Sequence, residues 1–321
     1  MTIKIVVNGY YRSGTTLVWS ILKKSLSNDY ICFFEPLQEE IAVSIQREKK
    51  EKKKDALLKN FLWQEYLSLG EENLHKLLRN HPNVSEYGIF NELSLKCYFD
   101  IINKLSKPIL LQPNRLHFFL DFFKSEYNPK IVHVIRNPLD VYLSIRDVDK
   151  TVFINNGRKN KLKYYFGRLI RRIYPSIRIR LGDFEVEKEY NWIVRHIGLP
   201  YSKENSWRIK FLHKPSFFEK VVIIWVISNY YAIKSLNRFG GYLLVYEELL
   251  SSSNKVYKDL EENLFIKIKK RPHLLSNNSF KFSKRDITQL KKVVSRYNLE
   301  EYFQFILQEV RKRNIDYLEE K

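Results

Sequence analysis

The sequence predicts an α/β domain built on a parallel sheet with helices packed on its faces. Two patterns predict it. Short apolar runs of strand length recur as far as residue 245, and most are followed by apolar residues at helical spacing. Several of the runs are continuous rather than alternating, as strands buried on both faces are.

Strands are expected at Ile3–Val7, Tyr30–Phe34, Ile109–Leu111, Lys130–Ile135 and Tyr242–Val245. The first helix is expected at Thr15–Leu26, where Leu17, Val18, Ile21, Leu22 and Leu26 approach a 3.6-residue period. Leu116–Phe123 and Pro138–Ile145 read the same way. Residues 221–227, VVIIWVI, are the most apolar stretch. They fall far short of the roughly 20 residues that span a bilayer, so a buried helix is expected there.

Composition supports one large domain. Of 321 residues, 44% are hydrophobic and 15% aromatic, enough for a sizeable core. Cys32 and Cys97 form no CxxC pair and no metal-ligand cluster, which fits a reducing, cytoplasmic setting. The N-terminal apolar run is shorter than a signal segment requires.

The formal charge of +20 favours anionic partners: nucleotides, nucleic acid, acidic glycans or anionic lipid. Charge alone does not choose among them. Two segments look inserted. Gln46–Asp55 is almost wholly charged and reads as an exposed helix end or a loop. From Arg158 to Arg180 there are nine Lys/Arg, no Asp/Glu, and interspersed apolar residues such as Tyr164, Phe166, Leu169 and Ile173. That stretch, within the insertion near 157–180, suits peripheral contact with an anionic membrane or an acidic acceptor. It equally suits a solvated helix with its apolar side packed on the domain.

Chemistry enters at residues 8–17, NGYYRSGTTL, between a strand and a helix. A glycine-bearing turn there lets backbone N–H groups face an anion, and the helix N-terminus adds its positive dipole end. Arg12 adds charge; Thr15 and Thr16 add hydroxyl donors. Gly9 and Gly14 have the spacing of a Walker A loop, with Thr16 in the Ser/Thr place, but Thr15 stands where that loop has lysine. A magnesium carboxylate is also missing after the later strands. A nucleotide handled without an obligatory metal is therefore expected, and a nucleoside triphosphate is disfavoured.

A second candidate lies at residues 131–144, IVHVIRNPLDVYLS. Arg136 ends a strand, Asn137 is a good N-cap and Pro138 suits the first helical turn. Asp140 could satisfy that helix end by itself.

These residues resemble the sulfotransferases that use 3′-phosphoadenosine 5′-phosphosulfate (PAPS). Tyr11-Arg12-Ser13-Gly14-Thr15-Thr16-Leu17 is similar to the family's P-[KR]-S-G-T-T-[WL], which holds the 5′-phosphosulfate. Arg136, Asn137, Pro138, Asp140 and Ser144 match R-[DN]-P-x-D-x-x-x-S, which grips the 3′-phosphate. Leu244–Leu250 resembles [VL]-x-Y-E-D-L and makes Tyr246 a candidate adenine contact or a structural tyrosine. Beyond residue 250 the likeness is poor, and Lys281, Lys284 and Arg285 are only possible replacements for a missing 3′-phosphate contact.

The resemblance implies a single sulfotransferase domain over 1–321 with a P-loop-like sheet. It implies a PAPS-dependent enzyme that acts on a hydroxyl, with no metal and no nucleic acid. Arg12 and Glu35 are the candidate catalytic residues. Glu35 sits in CFFEPL, similar to the F-x-E-P-x segment of carbohydrate sulfotransferases, so a carbohydrate or glycolipid acceptor is expected. The K-T-H of the cytosolic branch is absent: Gln112-Pro113-Asn114 stands there, and His117 is the runner-up base, with Glu92 more remote. The alternative function is a non-catalytic nucleotide- or anion-binding protein on the same fold.

Overall fold

In the computed structural model the five strands form one parallel sheet in the order β2-β3-β1-β4-β5. They are β1 (Ile3–Gly9), β2 (Ile31–Phe34), β3 (Ile109–Gln112), β4 (Lys130–Ile135) and β5 (Tyr242–Val245). The structure describes residues 1–38, 41–51, 61–82, 91–146, 181–199, 214–269 and 283–318. They divide into two units, one of Met1–Asn137, Val226–Ser279 and Tyr302–Glu319, the other of Pro138–Trp225, Phe280–Glu301 and Glu320–Lys321.

The first unit carries the sheet. β1 lies at its centre, paired with β3 on one side and β4 on the other. Val6, Val7, Leu110, Leu111, Val132, Val134 and Leu244 are fully buried, as continuous apolar strands predict. The first helix, α1 (Thr15–Leu26), buries Val18, Trp19, Ile21 and Leu22. Trp19 meets Phe34 at 5.1 Å between ring centroids, and Phe34 meets Trp63 at 5.3 Å. These rings cover the β2 side of the core, where Lys23 is paired with Glu65 at 2.8 Å.

One expected helix moves. The pattern at Leu116–Phe123 becomes a helix at Leu120–Tyr127. Asn114 takes a left-handed backbone (φ 57°), and the N–H of Leu116 is taken by the Asn8 side chain at 3.1 Å. The chain is thus tied back to β1 before the helix can start.

The second unit is helical in its described part. Its helices include 138–146, Leu181–His196 and Lys284–Arg296, the last closed by a capping box between Ser283 and Asp286. Tyr142 packs on Phe218 at 4.9 Å, Glu219 pairs with Arg296, and Lys220 pairs with Glu187. The helix Phe217–Phe239 contains the VVIIWVI stretch, and all seven of those residues are fully buried. Among the described residues no helix is long and apolar enough to cross a membrane. Of the two charged segments, residues 46–51 continue the helix Ile41–Glu51, while 52–55 and 157–180 lie outside the described residues.

A buried polar chain crosses the first unit. Asn229 Oδ1 lies 3.0 Å from His133 Nε2, and Asn8 Nδ2 lies 3.1 Å from His133 Nδ1. Asn8 Oδ1 already accepts from Leu116, so its amide must donate to Nδ1, and His133 is the neutral tautomer protonated at Nε2. Burial holds the His133 pKa down at about 3. In the unfolded chain an imidazole titrates at about 6.5. Between those values the unfolded state takes up a proton that the native state refuses, so stability falls as pH drops through that window. His133→Gln should reduce the pH dependence of unfolding between pH 7 and 5 by up to about one proton. Urea titrations of parent and variant at both pH values check this; equal slopes would contradict it.

Candidate functional site

The site starts where β1 ends. A Cβ at Gly9 would lie 2.5 Å from the Val134 carbonyl oxygen and 2.7 Å from Thr15 Cγ2. Only glycine lets β1, β4 and α1 converge this closely. The chain then turns sharply. Ser13 N–H donates to the Tyr10 carbonyl at 3.0 Å, and Arg12 (φ 68°) and Gly14 (φ 96°) both adopt left-handed backbone. Such turns direct successive N–H groups to one side, a concavity suited to anions.

α1 begins at Thr15 with Gly14 as N-cap, no capping side chain and no acid in its first turn. Its positive end is therefore left without a negative side chain of its own. Ser13 is fully buried, and its Oγ has no hydrogen-bond partner among the described residues. A buried hydroxyl in such a turn fits a ligand oxygen.

Parallel order decides what lies next to this loop. The connection leaving β1 runs toward β2, and that leaving β4 runs toward β5, so the crevice between β1 and β4 is a topological switch point. Arg136 follows β4 there. Its Nη1 donates to the Arg12 carbonyl at 3.3 Å, and its Cζ lies 4.8 Å from the Tyr246 ring centroid. Tyr246 opens the short helix Tyr246–Ser251 after β5. Its ring also covers Gly14, where an added Cβ would fall 2.3 Å from Cδ2. The structure thus brings together Arg12, Ser13, Gly14, Thr15, Arg136 and Tyr246, with Thr16 half-buried on the first turn of α1. Ser144 on helix 138–146, and Lys284 and Arg285 on helix Lys284–Arg296, belong to the second unit; Lys281 lies outside the described residues.

Two residues that sequence reasoning passed over hold the second turn. Asn137 N–H donates to Glu247 Oε1 at 2.9 Å, and the Tyr317 hydroxyl donates to Glu247 Oε2 at 3.2 Å. The Asn137 side chain reaches the Tyr317 carbonyl at 3.5 Å. The tail after residue 311 docks against the residue that follows Arg136.

Glu35 stands just past β2 with φ 41° and is half-buried. Its N–H continues the ladder to the Gln112 carbonyl at 2.9 Å. The turn around it is held from several sides. Tyr66 donates to the Phe34 carbonyl at 3.0 Å; Tyr98 (2.8 Å) and His81 Nε2 (3.1 Å) donate to that of Pro36; Arg115 donates to that of Leu37 at 3.0 Å. Burial raises the pKa of both tyrosines and lowers that of His81. The Glu35 carboxylate accepts from Asn114 Nδ2 at 2.8 Å. Asn114 Oδ1 accepts from Gln112 Nε2 at 2.7 Å, and the same Nε2 lies 3.1 Å from Thr15 Oγ1. Side chains thus link Glu35 to the anion loop. His117 is buried in the turn before Leu120, and Glu92 is exposed at the start of its helix. Among the described residues no group of three or more His, Cys, Asp or Glu is placed to hold a metal ion.

Residues 2–175, more than half of the chain, match the family described as the sulfotransferase domain. The chain belongs to the sulfotransferase family. The chain is 29% identical over 272 residues to an uncharacterized protein of Archaeoglobus fulgidus, covering 81% of this chain and 83% of that one. Among solved structures it is similar to the sulfotransferase domain from the curacin biosynthetic pathway (TM-score 0.41, 11% identity, 92% of this chain and 97% of that one). It is also similar to a sulfotransferase from Alicyclobacillus acidocaldarius (TM-score 0.36, 14% identity, 94% and 95%). Transfer of a sulfonate group is the general chemistry of the family.

The Tyr246 ring leaves no room for a side chain at Gly14. Gly14→Ala places a methyl against the ring at a positive φ. It should destabilise the protein by about 1–3 kcal/mol. It should also weaken nucleotide binding about tenfold or more, since a loop displaced this close to its ligand loses several hydrogen bonds. Thermal unfolding and calorimetry check the two effects. Parental values of both would show that the close approach does not constrain the loop.

Proposed function

We propose that this sulfotransferase moves a sulfonate group from PAPS to a hydroxyl of a carbohydrate or glycolipid acceptor. The observation that carries this reading is the pairing of two arginine-bearing loops at one switch point. Arg136 donates to the carbonyl of Arg12, so two anion-favouring turns lie side by side. A nucleotide with phosphate at both its 5′ and 3′ positions needs two such turns.

The residues fit that ligand. Arg12, Ser13, Gly14, Thr15 and Thr16 would hold the 5′-phosphosulfate, with the buried Ser13 hydroxyl offering an otherwise unused donor. Arg136 would hold the 3′-phosphate, and Tyr246 would border the adenine. PAPS brings a sulfonate group on a phosphate leaving group. Arg12 stabilises the negative charge that grows on that phosphate. Glu35 takes the proton of the acceptor hydroxyl as its oxygen bonds to sulfur and the old sulfur–oxygen bond breaks, leaving 3′-phosphoadenosine 5′-phosphate (PAP) and a sulfate ester. The link from Glu35 through Asn114 and Gln112 to Thr15 supports that role, because it ties the base to the loop that would hold the donor. The acceptor class rests on the Arg12 form of the first motif and on Glu35-Pro36.

Two variants test the reading. Glu35→Gln keeps size and much of the hydrogen bonding but cannot take the proton. It should keep PAPS affinity while turnover falls roughly 10²–10⁴-fold, measured with labelled PAPS and a panel of glycans, glycolipids and small alcohols. A variant transferring at near the parental rate would remove Glu35 from the mechanism. Arg136→Ala should weaken PAP binding about tenfold or more, and adenosine 5′-phosphate binding far less. Equal losses for both would place the 3′-phosphate elsewhere. Parental protein that binds PAP but modifies no acceptor would favour a non-catalytic binding protein.

A further inference from the structure

We infer that Gln112 and Asn114 are positioning residues that fix the direction of the three hydrogen bonds of the chain Glu35–Asn114–Gln112–Thr15, holding Glu35 as a proton acceptor and Thr15 as a donor. The inference rests on Glu35 being the base.

The argument follows from the chemistry of the three links. An ionised carboxylate only accepts, so Asn114 must turn its NH2 toward Glu35, as observed at 2.8 Å. Its carbonyl oxygen then faces Gln112 and needs a donor. Gln112 Nε2 supplies one at 2.7 Å, and its second hydrogen remains for Thr15 Oγ1 at 3.1 Å. A threonine oxygen that accepts from an amide has its own hydrogen left to give. That hydrogen belongs to the first residue of α1, at the loop that would hold the donor's phosphate. Reversing one amide alone would set like groups against each other, and reversing both would set the Asn114 oxygen against the Glu35 carboxylate unless Glu35 carried a proton. The ionised state of Glu35 and the donor state of Thr15 therefore favour each other.

The surroundings make this arrangement firm. Gln112 is fully buried at the end of β3, and Thr15 is buried. Asn114 sits at φ 57°, a backbone that asparagine, aspartate and glycine accept and most residues do not. Among the described residues, the titratable or charged groups bonded to the Glu35 turn include Tyr66, Tyr98, His81 and Arg115. Each gives a hydrogen to a carbonyl of Phe34, Pro36 or Leu37. The Glu35 charge also contributes to the raised pKa of Tyr66.

Asn114→Gly keeps the positive φ and removes only the amide. The expected result is a folded protein whose PAP affinity stays within about threefold of the parent and whose kcat falls about tenfold. The acidic limb of its kcat–pH profile should move up by about one pH unit, because a carboxylate that loses a donor binds its proton more tightly. The acceptor KM should stay near the parental value. Asn114→Asp accepts the same backbone and sets a like charge beside Glu35. It should move that limb further, and it serves if the glycine variant lacks a folded state. Glu35→Gln is run in parallel. If it is inactive while both Asn114 variants keep the parental kcat and pH limb, the positioning role is overturned and Glu35 stands as the base. If Glu35→Gln turns over at the parental rate, both are overturned.

Discussion

Gly9 at the end of β1 lies so close to β4 that a single methyl would strike the Val134 carbonyl. The site depends on that approach. It lets the loop after β1 and the loop after β4 leave the centre of the sheet side by side while their connections diverge. Arg12 and Arg136 stand in those loops because strand order places them there, although residues 12 and 136 are far apart in sequence. The hydrogen bond from Arg136 to the Arg12 carbonyl and the Tyr246 ring against Gly14 follow from the same geometry.

Backbone strain is concentrated at this site. Among the described residues, seven that are not glycine have positive φ. Asn128, Phe265, Asn298 and Asn314 sit at helix C-terminal ends, where a left-handed residue is an ordinary cap. Arg12, Glu35 and Asn114 do not; they lie in the loops after β1, β2 and β3. Strain of roughly 1–3 kcal/mol per residue persists only where the surroundings over-determine the conformation. Here they do: four side chains donate to the carbonyls of residues 34–37, and the Asn114 side chain is bonded to both Glu35 and Gln112. The stiffness suits a base and a charge that must meet a reacting group without reorganising.

Much of this was legible in the sequence. Buried strands announce themselves as continuous apolar runs, and the loop at 10–14 needs its glycine wherever the fold puts it. The Leu116–Phe123 pattern misled because apolar spacing records which side faces the core, not when the chain is free to coil. The Asn8–Leu116 hydrogen bond delays that helix, and it joins residues that no local pattern connects. The same reason hid Gln112 and Asn114. Each looks like an ordinary polar residue after a strand until β2, β3 and α1 bring Glu35 and Thr15 to either side. Asn114 after Pro113 was the available signal, since asparagine is among the few residues at ease with positive φ. Tyr317 carried no signal of its own, because its role exists only once the tail docks on Asn137 and Glu247.

If two anion-favouring turns at one switch point form a site for a doubly phosphorylated nucleotide, ligand preference in the unmodified protein is the direct measure. Calorimetric titration with PAP, adenosine 5′-phosphate and ATP with magnesium, at one ionic strength, gives it. PAP should bind about tenfold or more tighter than adenosine 5′-phosphate, the contribution expected of one charged hydrogen bond to the 3′-phosphate, and tighter than ATP. Equal affinity for PAP and adenosine 5′-phosphate, or tightest binding of ATP, would contradict the account.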